Sequence, residues 1–141
     1  MKTDVRVLAY TAAEAPLTAD IELPIQVVAS DGTALPLVKD GSFGADVIRF
    51  SAGEGVNTHS HAGAHILFVI DGEGTVEYGD EDHPLRPGIT YLVPEWQPHA
   101  IRAKTDLLLL AVGNDHQPPG STERLVPLPD RQTGEVASLT Q

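Results

Sequence analysis

The sequence predicts an all-β fold, and three observations carry that prediction. Short apolar or alternating segments recur along the chain, with the period of two that belongs to strands. Gly, Asp and Pro punctuate them at near-regular intervals and supply the backbone angles of tight turns. The one stretch with helical composition, Thr11 to Ala19, contains Pro16, which would break any helix it formed. Many short strands between tight turns close into a barrel or pack as a sandwich.

In chain order the expected strands are Val5 to Tyr10, Ile25 to Ala29, Ala45 to Phe50, His65 to Ile70, Gly74 to Tyr78, Thr90 to Val93, Ala100 to Arg102 and Leu107 to Val112. The turns between them are Asp31-Gly32, Lys39-Asp40-Gly41, Asp71-Gly72, Gly79-Asp80 and Arg86-Pro87-Gly88. The acidic run from Glu77 to Asp82 reads as a solvated hairpin edge. After Asn114 the composition turns to His116-Gln117-Pro118-Pro119-Gly120-Ser121, followed by an apolar patch from Leu125 to Leu128. At 141 residues one core is the expectation, with residues 1–113 as the barrel and its N-terminal strand, and 114–141 as an extended tail. Leu125, Val126 and Leu128 are expected to pack along the barrel or against a partner subunit.

Charge and composition exclude several classes of function. A net charge of −11 repels nucleic acid phosphates and anionic lipid. The longest apolar run, Leu107 to Val112, is far short of a membrane span. The first residues, Met1-Lys2-Thr3-Asp4-Val5-Arg6, carry charges where a secretory signal needs an apolar stretch, so a cytoplasmic location is expected. With no cysteine, disulfides, thiolate ligands and thiol nucleophiles are all absent, which leaves imidazole and carboxylate to supply the chemistry.

Four of the six histidines fall in two short segments, Thr58-His59-Ser60-His61-Ala62-Gly63-Ala64-His65 and Pro94-Glu95-Trp96-Gln97-Pro98-His99. Residues two apart in a strand share a face, so His59 and His61 can offer both imidazoles to one ion. The small residues Ala62, Gly63 and Ala64 let the chain bend and return His65 to the same place, and a neighbouring antiparallel strand would bring His99. Imidazole donors suit zinc, iron, nickel, copper or cobalt over calcium and magnesium. Two plainer readings compete: histidines with no metal, and a metal that only braces the barrel. His83 and His116, beside turn and proline-rich segments, read as surface residues.

The run from Gly55 through His59, His61 and His65 to Gly74, followed by Gly88, Pro94 and His99, resembles the two consecutive motifs of the cupin superfamily. The resemblance covers Ala45 to Val112 and implies a single-domain antiparallel jelly-roll β-barrel. In that family the first motif supplies two histidines and a glutamate and the second a further histidine, which implies His59, His61, His65 and His99 as metal ligands. Three positions depart from the pattern. His65 stands at the usual glutamate, Trp96 replaces a common glycine, and Ala103 replaces an asparagine. Four neutral imidazoles would leave a divalent ion its full charge and favour anionic chelating ligands such as an enolised 1,3-dicarbonyl. Held octahedrally, the ion would keep two adjacent positions for water or substrate.

Small cupins with an all-histidine site are similar to the resistomycin-type polyketide cyclases. The resemblance therefore implies zinc, with iron(II) or nickel as alternatives, and aldol-type ring closure of a poly-β-ketone small-molecule substrate with metal-bound water as the acid-base group. An iron(II) dioxygenase acting on a diketone and a non-enzymatic small-molecule-binding cupin are the alternatives, and a homodimer is implied in each case. For the pocket wall the candidates are Arg49, Phe50, Leu67, Val69, Tyr91 and Trp96. Strand parity places Leu67 and Val69 on the inward face with His65 and sends Phe68 outward. Arg49 could orient an anionic substrate if its strand turned it to the site.

Overall fold

A computed structural model of the chain describes residues 25–130. It consists of eleven strands: β1 (Ile25–Gln26), β2 (Thr33–Asp40), β3 (Phe43–Phe50), β4 (Gly55–Ser60), β5 (His65–Asp71), β6 (Gly74–Tyr78), β7 (Glu81–Leu85), β8 (Thr90–Val93), β9 (His99–Ala103), β10 (Leu107–Gly113) and β11 (Val126–Pro127). The expected strand Val5 to Tyr10 and the stretch Thr11 to Ala19 lie outside the described residues. All pairings are antiparallel, in a six-stranded sheet of order β1-β2-β3-β10-β5-β8 and a five-stranded sheet of order β11-β4-β9-β6-β7. This is the single-domain antiparallel jelly-roll β-barrel that the resemblance implies. No helix among the described residues is long and apolar enough to cross a membrane.

The inner faces of the two sheets meet over Phe50, Leu67, Val69, Val76, Leu85, Leu107 and Leu109, all essentially without exposure. Burial of this kind, at about 25 cal/mol per Å² of apolar surface, is the dominant force holding the sheets together. β10 reads as an unbroken apolar run because β3 and β5 flank it on both sides. In β5 the alternation is clean: Leu67 and Val69 are buried, whereas Ile66 and Phe68 are exposed. Four strands, β2, β4, β7 and β11, are not among the expected ones, and β1 is shorter than expected. β2 contains Pro36, and its register with β3 slips between Pro36 and Val38; a proline cannot donate to the ladder, so the bulge absorbs it. β7 carries two acids and Pro84 and survives because it is the outer edge of its sheet, where such residues are tolerated. The strand expected to reach Ala29 stops at Gln26, because Val27 N–H turns to the Gly32 carbonyl at 2.9 Å and Ala29 takes a left-handed φ of 52°.

The segment after Asn114 folds back on the five-stranded sheet. β11 pairs with β4, Val126 opposite Ser60 and Pro127 opposite His59. Leu128 N–H donates to the Thr58 carbonyl at 2.9 Å, and Thr58 N–H to Asp130 Oδ1 at 2.9 Å. Leu125 is buried, while Val126 is exposed. The strand that carries His59 is thus clasped on both edges, by β9 and by β11.

Candidate metal centre

His59 and His99 are direct register partners across β4 and β9, so the antiparallel ladder itself places their rings side by side, with centroids 4.2 Å apart. His61 lies one residue past the end of β4, on the same side as His59 by the alternation of the chain. One ring nitrogen from each of His59, His61 and His99 falls within 4.8 Å of the others, and all three residues are buried. His65, the first residue of β5, stands beside this group, its ring 4.4 Å from His61 and 5.7 Å from His99.

The turn between His61 and His65 is held from two sides. Trp96 N–H donates to the His61 carbonyl at 2.9 Å, and Gly63 N–H to Glu95 Oε2 at 3.1 Å. From the other side Ala64 N–H donates to Asn114 Oδ1 at 2.8 Å. Gly63 has φ 76°, and a Cβ there would collide with the Asn114 carbonyl, so only glycine lets the chain bend this tightly. The loop between β8 and β9 also contains Trp96 at φ 61°, a left-handed conformation that disfavours any residue with a Cβ.

The rings are oriented as metal ligands require. Nδ1 of His59 lies 2.8 Å from the Asn57 carbonyl, Nδ1 of His99 2.8 Å from the Gln97 carbonyl, and Nδ1 of His61 3.2 Å from the Ala62 carbonyl. A carbonyl only accepts, so each Nδ1 carries the proton and each Nε2 keeps its lone pair. The Nε2 atoms of His61, His65 and His99 are buried with no hydrogen-bond partner. Buried nitrogens are rarely left in this way without a ligand to satisfy them. His65 has no carbonyl tie of the same kind among the described residues.

Burial lowers His59 to about 4, with His61 and Arg124 adding to the shift and the bond to Asn57 opposing it. Burial likewise lowers His99 to about 3, reinforced by His59. His61 is lowered chiefly by burial, and His65 falls well below its usual value through burial and then the charges of His61, His99 and His59. At neutral pH the cluster is therefore a set of uncharged donors, the state that binds a metal.

The histidines open onto a cavity whose walls include Ile48, Phe50, Leu67 and Ile101. Among the candidates for the pocket wall, Phe50 and Leu67 line it, and Arg49, Val69, Tyr91 and Trp96 do not. Arg49 sits between Ile48 and Phe50, which both face inward, so alternation turns it to the opposite face of β3. Val69 is buried in the core but lies further along β5 from the histidines. Tyr91 donates its hydroxyl to the Pro84 carbonyl at 2.8 Å, and Trp96 is 53% exposed.

The cation that does line the cavity is Arg124, together with His116. His116 is not the surface residue its proline-rich surroundings suggested. Its Nε2 is 2.9 Å from Oδ2 of Asp46, which is 1% exposed, although the ring is not aligned for a hydrogen bond. Arg124 Nη1 lies 2.7 Å from the same oxygen. The available signal for this group was Asp46 itself, an acid within the otherwise apolar run Ala45 to Ile48, since a buried acid demands a partner.

The cupin domain family matches residues 46–113. An L-ectoine synthase from Sphingopyxis alaskensis is 34% identical over 101 residues, 67% of this chain and 74% of that protein. The chain belongs to the cupin superfamily. A second L-ectoine synthase, from Vibrio parahaemolyticus, is 34% identical over 70 residues, 48% of this chain and 55% of that protein. Among solved structures, a variant of salicylate 1,2-dioxygenase from Pseudoaminobacter salicylatoxidans superposes with a TM-score of 0.58 at 25% identity, over 64% of this chain and 28% of that one. A cupin superfamily protein from Desulfitobacterium hafniense gives a TM-score of 0.58 at 22% identity, over 70% of this cupin and 94% of its own chain, which shows the shared fold. The resemblance read from the motifs holds at the level of the superfamily; the relatives by sequence are L-ectoine synthases rather than resistomycin-type cyclases.

Proposed function

We propose that this cupin is a metal-dependent enzyme acting on a small oxygen-bearing organic substrate, with His59, His61 and His99 as ligands and His65 as the fourth. The observation that carries the reading is the set of buried, unbonded Nε2 atoms at one end of a cavity, three of the four imidazoles being fixed in the ligating tautomer by a backbone carbonyl. A divalent transition metal bound there would supply Lewis acidity toward a carbonyl or enolate oxygen. The chain's own part is to present neutral donors, to exclude water with Phe50, Leu67, Ile48 and Ile101, and to leave the ion's charge uncompensated so that anionic oxygen ligands are favoured.

That charge balance favours a redox-neutral reaction on an enolisable substrate, with zinc as the ion and a polyketide cyclase as one form of it. The likeness to salicylate 1,2-dioxygenase favours a second reading, an iron(II) dioxygenase, though this chain spans little more than a quarter of that protein. A homodimer would cover the outward Ile66, Phe68 and Leu92, all exposed in the single chain.

Elemental analysis of the purified protein, paired with oxygen uptake on acetylacetone as a 1,3-diketone, tests the proposal. Stoichiometric zinc without uptake supports the redox-neutral enzyme, and iron with uptake supports the dioxygenase. Protein that holds no metal, even after dialysis against zinc or iron(II), overturns both.

A further inference from the structure

The same cavity is lined by Arg124 and His116, which meet a buried acid that is not part of its wall, and all three come from parts of the chain remote in sequence from the histidines. Asp46 on β3 is buried, and its Oδ2 receives Arg124 Nη1 at 2.7 Å and faces His116 Nε2 at 2.9 Å. Arg124 Nη1 also donates to the Gln117 carbonyl at 2.8 Å. Both of Arg124's bonds therefore leave from one nitrogen. Its Nε and Nη2 make no hydrogen bond among the described residues, although the side chain is only 13% exposed and lines the cavity.

An arginine present only to neutralise a buried acid would meet it fork to fork, with two parallel N–H donors. Here the acid takes one corner of the guanidinium and leaves donors on the others. The backbone around Arg124 is fixed: its N–H donates to the Ser121 carbonyl at 3.1 Å, Leu125 is buried in the core, and β11 follows at once. Its charge reaches the histidines, since it contributes to the lowering of His59, His61 and His65. Asp115, the acid that also lines the cavity, is exposed.

We infer that Arg124, positioned by Asp46 and the Gln117 carbonyl, binds a carboxylate or equivalent anionic group of the substrate while the substrate's other oxygens face the histidine cluster. This rests on the reading of the cluster as a metal centre and adds the substrate class: a small organic acid with a second oxygen donor near its carboxylate. Asp46 acts through Arg124 and is a positioning residue.

Salicylate and salicylamide test this, because they share shape and chelating oxygens and differ in the charge of one group. Calorimetric titration of the metal-bearing protein is expected to show tighter binding of salicylate. In Arg124→Gln, salicylate should weaken by about 10-fold or more, as loss of a charged hydrogen bond implies, with salicylamide nearly unchanged. Arg124→Lys should fall between the two, keeping charge without the fork. Asp46→Asn combined with Arg124→Gln removes the buried acid along with its partner and should reproduce the selective loss in a protein free of an unpaired buried charge. Equal losses for both probes, no loss for either, or no preference for salicylate in the unaltered protein would each overturn the inference. Metal content measured on the same samples separates the two claims. Intact metal with unselective binding removes the anion site alone, whereas Arg124-dependent salicylate binding without metal removes the metal enzyme alone.

Discussion

The two polar groups that meet at the cavity are built on opposite principles. His59, His61, His65 and His99 are uncharged, come from two short stretches of sequence, and are oriented mainly by the carbonyls of residues one or two positions away. Asp46, His116 and Arg124 form an ion pair with an adjoining imidazole, drawn from positions up to 78 apart. The first arrangement follows from local backbone geometry and survives as long as β4 and β9 stay paired. The second exists only when the segment after Asn114 has folded back onto the barrel. The orientation of each ligand ring is thus specified locally, although strand pairing must bring His59 and His99 together, while the whole of the charged group is assembled by the tertiary fold.

The comparison breaks most sharply under substitution of a ligand. His99→Ala removes a donor whose Nε2 is buried without a partner, and metal affinity is expected to fall by more than about 100-fold, beyond the range usual for loss of an outer partner. The Asp46→Asn, Arg124→Gln pair should leave metal content near that of the unaltered protein. Elemental analysis after gel filtration measures both. If the pair loses as much metal as His99→Ala, the two groups are one unit and the division between them is false.

Their visibility in the sequence differs for the same physical reason. A spacing of two in a strand is a local rule, so His59 and His61 could be paired before any fold was known, and a strand carrying His99 could be placed beside them. Trp96 at φ 61° fits a position where the resemblance led one to expect glycine. The six apolar strands from Ala45 to Val112 were legible because alternation and turns agree. β2, β4 and β7 were not: Pro36 and Pro84 contradict strand propensity and are tolerated only through a bulge and a sheet edge, and Gly55 to Ser60 has a single large apolar residue, Val56, to mark it. Arg124 carried no local mark at all. Arg49 looked like the better cation because it lies in a strand near the site, and alternation alone, applied with Ile48 and Phe50 facing in, would have turned it away.

A pH titration sharpens the contrast at an intermediate scale. His59 and His99 are lowered to about 4 and about 3 in the folded protein, against about 6.5 in an unfolded chain. Between these values the unfolded state binds more protons, so the metal-free protein should be fully stable with respect to these groups above about pH 6.5. It should lose stability as pH falls toward 4 and then 3, at up to about 1.4 kcal/mol per pH unit for each group. Urea midpoints of metal-free protein measured from pH 7.5 to 4.5 should decline, and the decline should be shallower when His59 and His99 are both replaced by glutamine. A midpoint that tracks pH identically in the two proteins would show that the histidines are not the groups protonated on unfolding.

The smallest expected effect lies in the two loops that grip His61. Gly63 and Trp96 both adopt left-handed φ, at 76° and 61°, yet one is glycine and the other is the least suited kind of residue. Forcing a side chain into this region costs roughly 1–2 kcal/mol, and glycine returns about half of that through the freedom it gives the unfolded chain. Trp96 is 53% exposed and lines no part of the cavity, so Trp96→Gly forfeits only part of its burial. Relief of strain should outweigh that loss, raising stability by up to about 1 kcal/mol, or about 2–4 °C in melting temperature. Gly63→Ala must move in the other direction and by more, because its Cβ meets the Asn114 carbonyl as well as the strained angle. Differential scanning calorimetry of the two variants gives the comparison directly. Should Trp96→Gly melt lower than the unaltered protein, the exposed indole contributes more through its remaining contacts than its backbone angle costs, and the loop between β8 and β9 is held by that ring as well as by the Trp96 N–H bond to His61.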